Sequence, residues 1–354
     1  MTERGGSSAN LPSNAIALSM LHHRSILSLG LLVVCLGCAG STPPPEPAPL
    51  PAPSSLPVAP VEVTKSQASE KPVAPPPAEK PATPAPLFRI TEGIATPESV
   101  LYDEGNDRYL VSNINGKPDG VDNNGYLSEL SPDGKVVKEK FIAGGVGKVK
   151  LDAPKGSGIS GGVLYVADFS VVRLFDLKTG LPKGDIAVPG ATFLNDIAVA
   201  KDGRVFVSDS GMKTGPGGFE PTGSDAVYVI EKGKLKTIAK GKELGGPNGL
   251  LAVANGVLVN TFGADEVYRL DEKGAKQDVT KVPTGGLDGM ALIGDVLLVS
   301  SWKGSAIYRG SVGGQFEVAF AGLGGTADFG FDSKRKRVLV PRFLDNAVEI
   351  YDLK

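Results

Sequence analysis

The chain has 354 residues, with 37 Lys and Arg against 39 Asp and Glu and a formal net charge of −2, so it offers nucleic acid no basic surplus to bind. Its two histidines, His22 and His23, and its two cysteines, Cys35 and Cys38, all fall in the first 38 residues. Everything downstream therefore lacks a Ser-His-Asp triad, a cysteine nucleophile, a His or Cys zinc or haem ligand, and disulfides.

The chain opens on an export pattern. From Met20, a basic start ending in Arg24 is followed by an apolar stretch from Ile26 to Leu36, which is short for a bilayer span. It ends in Cys35-Leu36-Gly37-Cys38-Ala39-Gly40, which resembles the bacterial lipoprotein processing box with Cys38 as the lipidated residue; a plain cleaved signal is the alternative reading. Residues 1–38 are thus expected to be a signal peptide, with Met20 as a second candidate start. Residues 39–86, rich in Pro and Ala, cannot bury enough apolar surface to offset their ordering entropy and read as an extended tether. The expected location is the periplasm or the cell surface, with membrane contact through the lipid only.

Residues 87–354 carry a repeat. Pro247-Asn248-Gly249-Leu250, Leu287-Asp288-Gly289-Met290 and Ala327-Asp328-Phe329-Gly330 follow one another at a pitch of 40 residues. Each unit reads as short β-branched strands separated by Gly, Asn and Asp turns, with no competing helical period. Earlier units begin near Glu98, Lys155 and Asn195, and two of the gaps are lengthened by insertions at about 115–125 and 212–223. Six units of blade length predict an all-β, six-bladed β-propeller of four-stranded antiparallel blades, closed by a strand from Leu87 to Ile90; a β-solenoid is the structural alternative. The first strand of each blade lines the channel, so Glu98, Lys155, Asn195, Asn248, Asp288 and Asp328 are expected to form a ring near one mouth. Such an oxygen-rich, thiol-free ring suits one hard divalent cation, with Ca²⁺ first and Mg²⁺, Mn²⁺ or Zn²⁺ as alternatives.

On these motifs the chain resembles the senescence-marker-protein, gluconolactonase and strictosidine-synthase-like propellers over essentially all of 87–354. The resemblance implies that Glu98, Asn248 and Asp288 hold a metal and that Asn195 holds water or substrate. It further implies hydrolysis of a lactone or related ester, with Asp288 orienting or deprotonating a water and Asn195 steadying the oxyanion. Tyr102, Lys155, Trp302, Lys303, Asp328 and Arg342 are candidates for the substrate rim. Sugar-lactonase members have an arginine where this chain has Phe193 and a tryptophan where it has Tyr102, which argues against a hydroxyl-rich substrate.

A monomer acting on a small molecule is the expectation. The second function class is a non-catalytic envelope-binding scaffold, NHL-repeat-like, with a structural metal or none, because a propeller alone does not imply catalysis. Asn-Gly and Asp-Gly also have a plain reading as turn formers. Tyr268 and Tyr308 recur at the blade pitch and read as packing residues. The loop Asp119 to Gly125 and the cluster Lys334-Arg335-Lys336-Arg337 read as solvated turns.

Overall fold

The computed structural model describes residues 83–353. The expected signal peptide, Cys38 and nearly all of the expected tether lie outside the described residues. Six four-stranded antiparallel sheets follow one another along the chain, with one additional two-stranded hairpin. The first five blades run from inner to outer strand in chain order. Their inner strands are Pro97–Asp103, Pro154–Ser160, Leu194–Val199, Pro247–Val253 and Leu287–Ile293.

The sixth blade joins the two ends of the domain. It contains Gly330–Asp332, Arg337–Arg342 and Ala347–Asp352, and Phe88–Ile90 pairs with the last of these as the outer strand, Phe88 opposite Ile350. The closing strand expected from Leu87 to Ile90 is present. Closure removes the two uncovered end faces that a linear stack of sheets would leave, so each blade is covered on both faces.

That covering explains the burial pattern. Second strands such as Arg108–Asn113 and Gly256–Thr261 are buried at every position, because both of their faces meet a neighbouring blade. Outer strands such as Pro182–Ala187 are mostly exposed. Among the described residues the apolar core divides into clusters that straddle the blade interfaces, such as Phe206 and Val227 with Val257 and Tyr268, or Val267 with Leu297 and Tyr308. Tyr268 and Tyr308 pack here as the blade pitch implies.

The basic cluster at 334–337 is more than a solvated turn. Arg335 and Lys334 both pair with Asp107 at 2.7 Å, and Tyr109 Oη donates to Asp332 Oδ2 at 2.7 Å. These contacts tie the sixth blade to the first, on the side away from the candidate site.

Candidate functional site

The ring residues stand where the inner strands begin, and each of the first five blades breaks its register there. The pairing shifts between Pro97 and Ser99, Pro154 and Ser157, Leu194 and Ile197, Pro247 and Leu250, and Leu287 and Met290. A bulge re-aims the side chain it contains. Here it turns Glu98, Lys155, Asn195, Asn248 and Asp288 into one cavity of about 110 Å³ at the channel mouth.

Polar groups on the second strands hold the bulges in place. Ser208 Oγ accepts from the Asp196 N–H at 2.9 Å and donates to the Asn248 carbonyl at 2.7 Å. Asn260 Oδ1 accepts from the Gly249 N–H at 2.9 Å while its amide donates to the Asp288 carbonyl. Ser300 Oγ accepts from the Gly289 N–H at 2.8 Å and donates to the Ala327 carbonyl at 3.0 Å. Each link satisfies a bulge N–H that the ladder leaves free and fastens a blade to the next ring position.

The glycines of the Asn-Gly and Asp-Gly pairs are therefore not turn residues. A Cβ on Gly249 would lie 1.9 Å from the Asp288 carbonyl oxygen, and one on Gly289 would lie 2.5 Å from the Phe329 nitrogen. Close approach of the neighbouring strand requires them. Gly249→Ala is expected to push the Asp288 backbone aside and cost about 1–3 kcal/mol by urea denaturation.

The same links correct the sequence reading of the sixth blade. Ser300 binds the carbonyl of Ala327, as Asn260 binds that of Asp288, and Thr326 bridges Arg342 as Leu287 bridges Ser301. Ala327 therefore occupies the ring position, and Asp328 is one residue out of phase. A one-residue slip on a strand changes the face a side chain meets. Asp328 accordingly lines a separate cavity toward the opposite mouth, together with Asp196 and Tyr102, and accepts from Ser99 Oγ at 2.6 Å.

Within the first cavity the oxygens are arranged unequally. Glu98 Oε2, Asn248 Oδ1 and Asp288 Oδ1 are buried without any hydrogen-bond partner. The other ends of two of these groups are fixed: Asn248 Nδ2 donates to the Leu287 carbonyl at 3.0 Å, and Trp302 Nε1 donates to Asp288 Oδ2 at 2.6 Å. Asn195 Nδ2 donates to Ser210 Oγ at 3.0 Å, and that hydroxyl donates onward to the Pro247 carbonyl at 2.7 Å. That bond uses one of the two amide N–H groups of Asn195, which leaves an N–H and the amide oxygen to meet a water or substrate in the cavity.

Lys155 is buried, donating to the carbonyls of Pro118 at 2.9 Å and Ala153 at 3.1 Å, with its ammonium 4.4 Å from the centroid of Phe193. Burial lowers its pKa, opposed by the carboxylate of Glu98. Burial also raises Asp288 to about 8, partly opposed by the Trp302 hydrogen bond. Glu98 is pushed well above the usual carboxylate range, first by burial and then by repulsion from Asp288 and Asp328.

Besides Asp328, three other rim candidates do not line the first cavity. Tyr102 lies toward the other mouth and donates to Asp107. Arg342 is engaged within its own blade by Glu349, Asp345 and the Gly324 carbonyl. Lys303 is exposed beside Asp265, at 3.8 Å.

Sequence reasoning missed the apolar walls, which include Ile114, Phe219, Phe262 and Phe343. A signal was present, because Ile114, Phe262, Trp302 and Phe343 each follow directly on the end of a second strand. Phe219 comes from the hairpin Met212–Gly215 and Gly218–Pro221 inside the second insertion. The first insertion meets it, Asp119 Oδ2 accepting from the Thr214 N–H at 3.1 Å.

The donor set fits a hard cation through two carboxylates and one amide oxygen. Among the described residues, no group of three or more His, Cys, Asp and Glu side chains is placed to hold a metal, so the amide of Asn248 is needed to complete the set. The fit rests on the three unpartnered oxygens, since buried polar atoms seldom stay unsatisfied without an ion, a water or a function.

No protein-family model matches the chain, and no curated protein sequence matches it. Solved structures share its fold. A gluconolactonase from Xanthomonas campestris is 19% identical, with a TM-score of 0.57 over 76% of this chain and 89% of that one. A protein described as a putative gluconolactonase is 17% identical, with a TM-score of 0.54 over 77% of this chain and 97% of that one. An inactive virginiamycin B lyase from Staphylococcus aureus, solved with quinupristin, is 13% identical, with a TM-score of 0.51 over 75% and 98%. At these identities the likeness establishes the six-bladed propeller. The chemistry has to come from the site.

Proposed function

We propose that this chain is a divalent-cation-dependent hydrolase that opens a lactone or related ester at the floor of the channel-mouth cavity. The convergence of three buried, unpartnered oxygens from Glu98, Asn248 and Asp288 carries the reading. The fold shared with gluconolactonase-type propellers supports it. Oxygen-only coordination favours Ca²⁺, then Mg²⁺, Mn²⁺ and Zn²⁺. A cation held there would polarise the scissile carbonyl and acidify a nearby water.

Glu98 and Asn248 serve as holding groups. Asp288 shares that task, and because the Trp302 indole fixes its Oδ2, its Oδ1 keeps one direction. Asn195 positions the water through its oxygen. Lys155 has one N–H left after its two carbonyl bonds, and it joins the remaining amide N–H of Asn195 in the electrostatic part at the developing oxyanion.

The test uses the purified chain with Ca²⁺, Mn²⁺ or chelator, read by thermal denaturation and by turnover across aliphatic, aromatic and sugar lactones. Cation-dependent stabilisation together with turnover is expected. Stabilisation without turnover would leave a binding scaffold, and no response to any cation would remove the metal reading altogether.

A further inference from the structure

The cavity divides into a polar floor and a hydrocarbon wall. All of its charged and amide side chains come from the starts of the inner strands, whereas the insertions and the ends of the second strands supply carbon. Phe219 stands edge-on to Phe193 and Phe262, with ring centroids 5.4 and 5.7 Å away, and Trp302 stands edge-on to Phe343 at 5.1 Å.

Much of the floor's donor capacity is already engaged. One amide N–H each of Asn195 and Asn248, and the indole N–H of Trp302, donate within the protein. Lys155 has spent two of its N–H groups on backbone carbonyls. The unpartnered groups are acceptors belonging to the cation-holding set. A substrate hydroxyl entering this cavity would give up water and meet aromatic carbon. Each uncompensated hydroxyl then weakens binding by roughly tenfold or more.

We propose that the site selects a compact hydrocarbon lactone or ester, aliphatic or aromatic, with its carbonyl at the floor and its carbon skeleton against Phe219, Phe262 and Phe343, and that it rejects polyhydroxylated lactones. This rests on the hydrolase reading for the reacting carbonyl, but the discrimination belongs to the walls and can be measured without turnover. Phe219 is the specificity-determining side chain most open to test, because it is 43% exposed on the added hairpin and lies outside the blade cores.

The experiment compares two lactams, which keep the ring and carbonyl but resist hydrolysis: dihydroquinolinone for the hydrocarbon class and gluconolactam for the polyol class. Binding to the full chain is followed by calorimetry and by emission of Trp302, the sole tryptophan. Dihydroquinolinone is expected to bind at least about tenfold more tightly, and Phe219→Ala to narrow the gap. Equal or tighter binding of gluconolactam, no binding of either lactam, or a gap untouched by Phe219→Ala would overturn the proposal. Selective binding without turnover of the corresponding lactones would sink the hydrolase reading and leave this one. Turnover confined to the polyol lactone would do the reverse.

Discussion

Asp288→Asn is expected to lower kcat/KM by about 10²–10³-fold, the usual cost of removing one preorganised electrostatic partner, and to abolish most of the Ca²⁺-induced rise in Tm. Wild-type protein at a cation concentration of about 100 Kd should gain about 2.7 kcal/mol, or roughly 5–10 °C for a domain of this size. The variant keeps the shape of the side chain and an oxygen for the Trp302 indole, so the fold should survive. It loses the charge that draws a cation to Asp288 Oδ1, one of the three unpartnered oxygens. Asp328→Asn is the matched comparison. Because Asp328 lines the opposite cavity and reaches the first only by repelling Glu98 through space, that change should leave the Ca²⁺ shift in place and alter kcat/KM by less than about tenfold. If Asp328→Asn abolished the shift while Asp288→Asn spared it, the phase correction in the sixth blade would be wrong. Thermal denaturation with and without chelator, together with steady-state kinetics, reads both variants.

The sixth blade also shows how far the sequence could be read. Six blades, the closing strand and the five bulge residues Glu98, Lys155, Asn195, Asn248 and Asp288 were legible, because a repeated supersecondary unit writes its pitch into the chain. Asp328 was misplaced because a pitch of 40 residues from Asp288 matches the eye but not the ladder. The pairing of Thr326 with Arg342 puts Ala327 in register, and a ladder register is a long-range contact that local pattern does not encode. Asn195 was only partly legible. Its residue type was right, but the direction of its amide depends on Ser210 and through it on the Pro247 carbonyl of the next blade. The aromatic walls were missed because Phe219 reaches the site on a hairpin inside an insertion, where neither blade pitch nor strand alternation applies. Gly249 and Gly289 misled through a true propensity, since Asn-Gly and Asp-Gly favour turns, and here the neighbouring strand's approach decided instead.

In the absence of a cation, stability is expected to fall as pH rises from about 5 to 8, and bound Ca²⁺ should reverse that trend. Burial raises Asp196 to about 6 and Asp288 to about 8, and it drives Glu98 and Asp328 upward as well. In the unfolded chain such groups lose their protons near about 4. Between the unfolded and folded values the native state holds protons that the unfolded state has released. Their contribution is therefore complete below about pH 4 and shrinks by about 1.4 kcal/mol per pH unit for each such group until the folded value is passed. Lys155 works with the opposite sign. Its folded pKa is lowered, so between that value and the unfolded one, about 10.4, it favours the native state with rising pH and opposes the carboxylate trend wherever the two windows overlap. A cation requires Glu98 and Asp288 without their protons, so its affinity should climb by up to about tenfold per pH unit for each proton displaced, the Asp288 share levelling off at about 8. Thermal denaturation at about pH 5, 6.5 and 8, with Ca²⁺ or chelator, checks both halves. A chelated protein most stable at the alkaline end, or a Ca²⁺ shift of constant size across the series, would mean that these carboxylates are already charged and compensated in the metal-free fold.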